Sequence, residues 1–150
     1  MTEVAVAREF TLTRVFHAPR ELVYRSWTDP DEATHWWGPH GFTTPRATMA
    51  FDVRPGGEWQ ACMIEDATGK QFLSSGVYRE VVPNEKLVFS WGEQGDADED
   101  KPVITIDFND LGERTEMVFH QVGLLPEDAL LEMEDGWSQC IERSMTHLSR

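Results

Sequence analysis

The C-terminal segment constrains the fold more than any other part of the sequence. Its apolar residues recur at intervals of three and four positions: Leu130, Met133, Trp137, Ile141, Met145 and Leu148. This spacing places them on one face of an α-helix. Pro126 suits the first turn of such a helix, and Glu127 and Asp128 suit its positive end. The pattern predicts a long helix over residues 126–148 whose single apolar face has to be buried against another layer.

The preceding sequence predicts that this other layer is an antiparallel sheet. Apolar and polar residues alternate with period two in residues 10–16, which predicts a first strand. Six more strands are predicted over residues 43–53, 58–65, 71–82, 86–92, 103–109 and 114–122. Short turns between successive strands favour antiparallel neighbours, and a twisted sheet of about seven strands curls. The curl provides a concave face for the final helix.

Two short helices are predicted between the first strand and the rest of the sheet. The first covers residues 19–28, with Pro19 near its first turn. The second begins near Pro30, runs to about Trp37 and is stopped by Gly38 and Pro39. The element order therefore indicates an α+β fold that forms one domain over residues 1–150.

Charge and hydropathy exclude several classes of partner. The formal net charge of −14 repels nucleic acid and anionic lipid surfaces. No apolar run approaches the ~20 residues that span a bilayer. Residues 1–10 lack the apolar core of a secretion signal, so we expect a cytoplasmic protein without nucleic-acid or membrane partners.

The sequence contains no complete catalytic or metal-binding signature. The five histidines lack the spacing of a zinc site, and neither a nucleophile elbow nor a phosphate-binding glycine loop is present. Cys62 and Cys140 are predicted to be reduced, partly buried thiols. We therefore predict no catalytic residue, metal or cofactor, and the question of an enzymatic activity stays open.

Strand parity predicts that five polar side chains point inward: Arg14, Tyr78, Glu80, Asp107 and Gln121. A buried acid among them would have a raised pKa and could act as a general base. Alternatively, one of the acids neutralises Arg14 in a structural pair, which is the interpretation we favour.

Several motifs occur in a fixed order along nearly the whole chain. They are Ala18-Pro19-Arg20-Glu21, Trp27-Thr28-Asp29-Pro30, Trp36-Trp37-Gly38-Pro39 with Gly41-Phe42, Asp52-Val53-Arg54-Pro55-Gly56-Gly57, Leu87-Val88-Phe89-Ser90-Trp91 and Gly136-Trp137. In these motifs the sequence resembles the bacterial single-domain family named after the activator of the heat-shock protein 90 ATPase. That family belongs to the helix-grip superfamily of lipid-transfer (START) domains, birch-pollen allergens and polyketide cyclases. The Trp-Trp-Gly-Pro and Arg-Pro-Gly-Gly motifs together are quite specific.

The resemblance implies a helix-grip fold, in which the concave face of the sheet often lines an internal cavity. The inward aromatic, methionine and aliphatic residues are then candidates for ligand contact: Trp37, Trp59, Met63, Phe89, Trp91, Met117, Phe119, Met133, Trp137 and Ile141. The same residues would equally suit a filled core. Gly136 interrupts the helix at a cost of roughly 1 kcal/mol, either to make room beside Trp137 or a strand, or because it is tolerated.

Three functions are compatible with this resemblance. The first is binding of a small hydrophobic or aromatic molecule in the cavity, which the inward aromatics and methionines favour. The second is association with a chaperone as an ATPase activator. The third is an enzyme of the cyclase or hydrolase type. A homodimer formed through exposed tryptophans near Trp36 is a further expectation.

Overall fold

The computed structural model describes residues 6–149, which form one sheet, three α-helices and two 3₁₀ turns. The strands are β1 (Val6–Phe16), β2 (Phe42–Thr43), β3 (Ala50–Phe51), β4 (Glu58–Glu65), β5 (Gln71–Val82), β6 (Lys86–Ser90), β7 (Gly92–Glu93), β8 (Val103–Asp110) and β9 (Thr115–Leu125). The α-helices are α1 (Arg20–Thr28), α2 (Pro30–Ala33) and α3 (Glu127–Leu148). The 3₁₀ turns are Arg46–Thr48 and Asp98–Asp100.

Every strand pairs antiparallel with its neighbours, as the short connections predict. The order across the sheet is β1-β9-β8-β6-β5-β4-β2, with β3 beside β4 and β7 beside β5. The first and last strands of the sequence are therefore neighbours in space. This arrangement confirms the predicted helix-grip fold: a curved antiparallel sheet around one long helix.

The prediction of one continuous strand over residues 43–53 is wrong. The structure has two short strands, β2 and β3, separated by the 3₁₀ turn Arg46–Thr48. Pro45 precedes this turn and has no backbone N–H, so the chain cannot continue its ladder there. The hydroxyl of Thr48 accepts from the backbone N–H of Cys62 at 3.2 Å and so stands in for part of the missing ladder.

The second helix is shorter than predicted. α2 spans only Pro30–Ala33, with the Asp29 carboxylate capping its first turn by accepting from the N–H of Asp31. Turns then carry the chain to Trp36 and Trp37, which are 0% and 4% exposed. The expected exposure of tryptophans near Trp36 is therefore wrong, because both side chains lie in the core.

The apolar face of α3 packs against the inner face of the sheet as predicted. Trp137 and Ile141 are buried, and the ring of Trp137 lies 5.0 Å from that of Phe119 on β9, centroid to centroid. The remaining members of the stripe are partly buried and pack against the same core: Leu130, Met133, Met145 and Leu148. None of the helices in residues 6–149 combines the length and apolarity needed to cross a membrane.

The Arg-Pro-Gly-Gly motif is a turn that fixes the position of β4 beside β5. Gly56 has a φ of +85° and donates its backbone N–H to the carbonyl of Tyr78 at 2.7 Å. A Cβ atom on Gly57 would lie 1.9 Å from the carbonyl oxygen of Asp52. The motif thus needs both glycines to bring the turn before β4 against β5.

An apolar crevice at the edge of the grip

The interior of the grip is a packed aromatic cluster. Trp27 lies at its centre, with ring centroids of Trp36 at 4.6 Å and of Phe119 and Trp137 at 6.0 Å. The void beneath this cluster measures only about 10 Å³. That is close to the ~10–15 Å³ at which a cavity begins to hold one water molecule. The concave face is therefore a filled core rather than an enclosed chamber.

An apolar crevice of about 180 Å³ opens beside this core. One wall is α3, and the opposite wall comes from the segment after α2 and from two positions on or next to strands. The lining residues are Trp37, Gly38, Pro39, Met63, Trp91, Glu132, Met133, Gly136, Trp137 and Cys140. We call this region the crevice; only Glu132 in its lining carries a charge.

The predicted ligand-contact residues fall into two groups. Half of them line the crevice: Trp37, Met63, Trp91, Met133 and Trp137. The other half are buried in the core and do not line the crevice: Trp59, Phe89, Met117, Phe119 and Ile141. Strand and helix parity identified the inward face in both groups, while the crevice itself is formed only where α3 meets the Trp-Trp-Gly-Pro segment.

The rim of the crevice is held by hydrogen bonds that the sequence did not indicate. The Arg143 guanidinium on α3 donates to the carbonyls of Gly38 at 2.6 Å and Phe42 at 3.3 Å. The backbone N–H of His40 donates to the side-chain oxygen of Gln139 at 3.0 Å. These bonds tie the Gly38–Phe42 rim to α3, so the two walls of the crevice form one framework.

Gly136 lines the crevice on the α3 side and has no side chain to fill it. Apart from its chain neighbours and the backbone of its own helix, no atom would lie within 4 Å of a Cβ atom at this position. Since Gly136 also lines the crevice, any larger side chain there would extend into the open volume. Because a side chain here would displace no neighbouring element, the structure supports the interpretation that the glycine is tolerated rather than required.

Cys140 contributes soft apolar surface to the crevice rather than a nucleophile. The side chain is 5% exposed, and this burial raises the pKa of its thiol to about 12. The thiol is therefore neutral at physiological pH, whereas a reactive cysteine needs a depressed pKa. Both cysteines are free and buried, which confirms the prediction of reduced thiols.

Only two of the five inward polar candidates are buried. Tyr78 and Gln121 are 3% and 0% exposed, and burial raises the pKa of the Tyr78 hydroxyl. Glu80 is exposed because β5 has an irregularity between Tyr78 and Glu80 that shifts its parity. Asp107 lies on the face of β8 opposite the buried Ile106, so its inward assignment is also wrong.

The favoured pairing of Arg14 with an inward acid is likewise wrong. The Arg14 guanidinium donates to the hydroxyl of Ser138 on α3 at 3.2 Å and to the carbonyl of Thr13 at 2.9 Å. The two acids proposed as partners, Glu80 and Asp107, face away from the interior. Within residues 6–149, no group of three or more His, Cys, Asp or Glu side chains is placed to hold a metal ion.

Sheet, helix and crevice together define a helix-grip protein with an apolar opening at the helix edge. The family profile described as "Activator of Hsp90 ATPase homolog 1-like protein" matches residues 17–149. The chain therefore belongs to this family, as the motifs predicted. No curated protein matches the sequence significantly.

Solved bacterial structures share the fold over nearly their whole length. Protein CV1439 from Chromobacterium violaceum is 26% identical, with a TM-score of 0.80 over 93% of this chain and 96% of that one. Protein NE0264 from Nitrosomonas europaea is 23% identical, with a TM-score of 0.79 and 94% of both chains covered. The AHSA1 protein from Silicibacter pomeroyi is 22% identical, with a TM-score of 0.82 over 95% and 98% of the two chains. At these identities the similarity supports the fold.

Proposed function

We propose that this protein binds a small apolar or aromatic molecule in the crevice. The observation that carries the proposal is a crevice of about 180 Å³ whose walls are almost entirely aromatic, aliphatic and sulfur-bearing. A cavity of ~150 Å³ lined by apolar side chains accommodates benzene. The volume therefore suits one aromatic ring, and a larger ligand would protrude into solvent.

The crevice lining favours aromatic rings among molecules of this size. Trp91 and Trp137 are in edge contact with each other, with ring centroids 5.6 Å apart, and both line the opening. Met63 and Met133 add polarizable thioethers, whose contacts with aromatic rings contribute ~0.3–1.5 kcal/mol each. Methionine also adapts its shape, so the site tolerates substituents on the ring.

The charge of the protein selects against anionic ligands. Glu132 stands in the crevice lining, and the chain as a whole carries a net charge of −14. A carboxylate in the crevice would be desolvated beside a like charge, which is unfavourable. We therefore infer a neutral or cationic ligand.

Toluene and benzoate are suitable probes because they share a ring and differ in charge. Toluene at ten times its dissociation constant would stabilise the protein by about 1.4 kcal/mol, which corresponds to a rise of roughly 3–6 °C in Tm. Benzoate at the same concentration is expected to leave Tm unchanged. Native mass spectrometry would report the stoichiometry, and the absence of any toluene-dependent stabilisation would contradict the proposal.

A second candidate function is association with a heat-shock chaperone, because the matching family is described by its relation to the Hsp90 ATPase activator. A pull-down with the Hsp90-type chaperone of the same cell, followed by an ATPase assay, tests this function. Stimulation of ATP hydrolysis by this protein would support it, and a rate unaffected by saturating protein would count against it.

Self-association and a cytoplasmic location stay predictions. Sedimentation velocity at micromolar concentration would determine whether the protein is a monomer or a dimer. Fractionation of cells that produce the protein would determine its compartment.

A further inference from the structure

Gln121 places an amide in the middle of the apolar layer between the sheet and α3. It lies on β9, opposite Phe10 of β1 and Ile104 of β8. Its side chain is 0% exposed, and both of these strand neighbours are buried and apolar. A buried amide needs hydrogen-bond partners, because it loses those that water would provide.

The partners available to Gln121 are poor. Its Nε2 donates to the thioether sulfur of Met133 at 3.2 Å, and sulfur of this kind is a weak acceptor. Its Oε1 is buried and has no hydrogen-bond partner among residues 6–149. Turning the amide over would exchange the two atoms and leave an unpaired donor in place of an unpaired acceptor. Either way, one end of the amide is unsatisfied.

Met133 connects this amide to the crevice. The same methionine whose sulfur accepts from Gln121 also forms part of the crevice lining and is only partly buried. Methionine is unbranched with three rotatable bonds, so its thioether moves between rotamers at low cost. A change of the Met133 rotamer would join the unsatisfied amide to the apolar opening.

We propose that Gln121 is the polar anchor of the ligand, which it contacts when Met133 moves aside. This inference rests on the proposed function of the crevice. It narrows the ligand class to neutral aromatic molecules that carry one hydroxyl or N–H group, such as phenols. The ligand's O–H or N–H donates to Oε1, which otherwise lacks a partner. A hydrocarbon of equal size binds in the crevice but leaves the amide unsatisfied, so the advantage of a phenol is the one hydrogen bond that it adds.

Phenol and toluene, titrated against the wild-type protein and Gln121→Met, test this role. Methionine matches the length of glutamine without its amide, so the variant keeps the shape of the layer. Comparing the ratio of the two dissociation constants between the wild-type protein and the variant cancels the difference in hydrophobicity between the probes. We expect Q121M to move this ratio about tenfold in favour of toluene, the equivalent of one lost hydrogen bond, while the affinity for toluene stays unchanged.

A second measurement reports the contact directly. In the ¹⁵N-labelled protein, the side-chain amide signal of Gln121 is assigned by its loss in Q121M. We expect phenol to shift this signal and toluene to leave it in place. An unchanged affinity ratio with both probes bound would overturn the anchor role and leave the crevice as an apolar site. Failure of both probes to bind would overturn the proposed function as well.

Discussion

Substitution of Gly136 is expected to raise the stability of the protein, while a large side chain at this position is expected to weaken ligand binding. Alanine at this position adds a Cβ atom that meets nothing outside its own helix within 4 Å, so no packing is disturbed. It also removes the conformational freedom of a glycine inside α3, which favours the helix by ~0.8–1 kcal/mol. For a protein of this size, we expect Gly136→Ala to raise Tm by roughly 2–4 °C.

Leucine at the same position should keep the stability gain but occupy the crevice. Its helix propensity is close to that of alanine, and its longer side chain extends into the volume that Gly136 leaves open. We expect Gly136→Leu to bind toluene at least about tenfold more weakly than the wild type, a loss of ~1.4 kcal/mol. Gly136→Ala is the matched control and should retain most of the binding.

Thermal unfolding and calorimetric titration with toluene, carried out on both variants, measure the two effects separately. If G136L binds toluene as tightly as the wild type, toluene does not occupy the crevice. If G136A lowers Tm, the space beside Gly136 is not open as described.

Three further predictions concern Gly76, Gln121 and Cys140. Gly76→Ala should destabilise the protein by about 3 kcal/mol or more in chemical denaturation, because its Cβ would lie 1.8 Å from the Ser90 carbonyl oxygen; a loss under ~1 kcal/mol would refute this. Gln121→Met should raise the free energy of unfolding by ~1–3 kcal/mol, since it removes an unsatisfied buried amide; a lower stability would show that the amide has partners. Burial raises the pKa of the Cys140 thiol from its ordinary value of 9.0 to about 12. The folded state therefore favours the neutral thiol, and the stability that this adds is complete below pH 9 and is lost as the pH rises from 9 towards 12. At pH 8 in a Cys62→Ala background, Cys140 should react with a disulfide reagent no faster than the protein opens; faster labelling would contradict its burial.

The helix and most strands could be predicted from the sequence because their patterns are local. The α3 stripe follows from spacing alone, and alternation defines β4, β5, β8 and β9. The prediction of one strand over residues 43–53 is wrong because Pro45 interrupts the hydrogen-bond ladder. The apolar pattern continues through this position and does not indicate the interruption. Glu80 was misassigned because one irregularity in β5 reverses parity for every residue beyond it.

The crevice could be predicted only in part, because parity gives the face of a residue and not its depth. Trp59 and Trp91 were both assigned to the inner face. The indole of Trp59 donates to the Ser90 carbonyl at 3.0 Å and is sealed in the core, whereas Trp91 follows β6 and forms part of the crevice wall. That difference depends on where α3 crosses the sheet, which is a tertiary property.

The tryptophan indole N–H signals in a ¹⁵N-¹H spectrum, followed during a titration with toluene, test the crevice most directly. Trp37, Trp91 and Trp137 line it, while Trp36 and Trp59 donate their indole N–H groups to the Ser26 and Ser90 carbonyls inside the core. Binding in the crevice predicts saturable shifts of the first three signals, with the other two unmoved. Shifts centred on Trp36 and Trp59, or no shift in any indole signal, would contradict binding at this site.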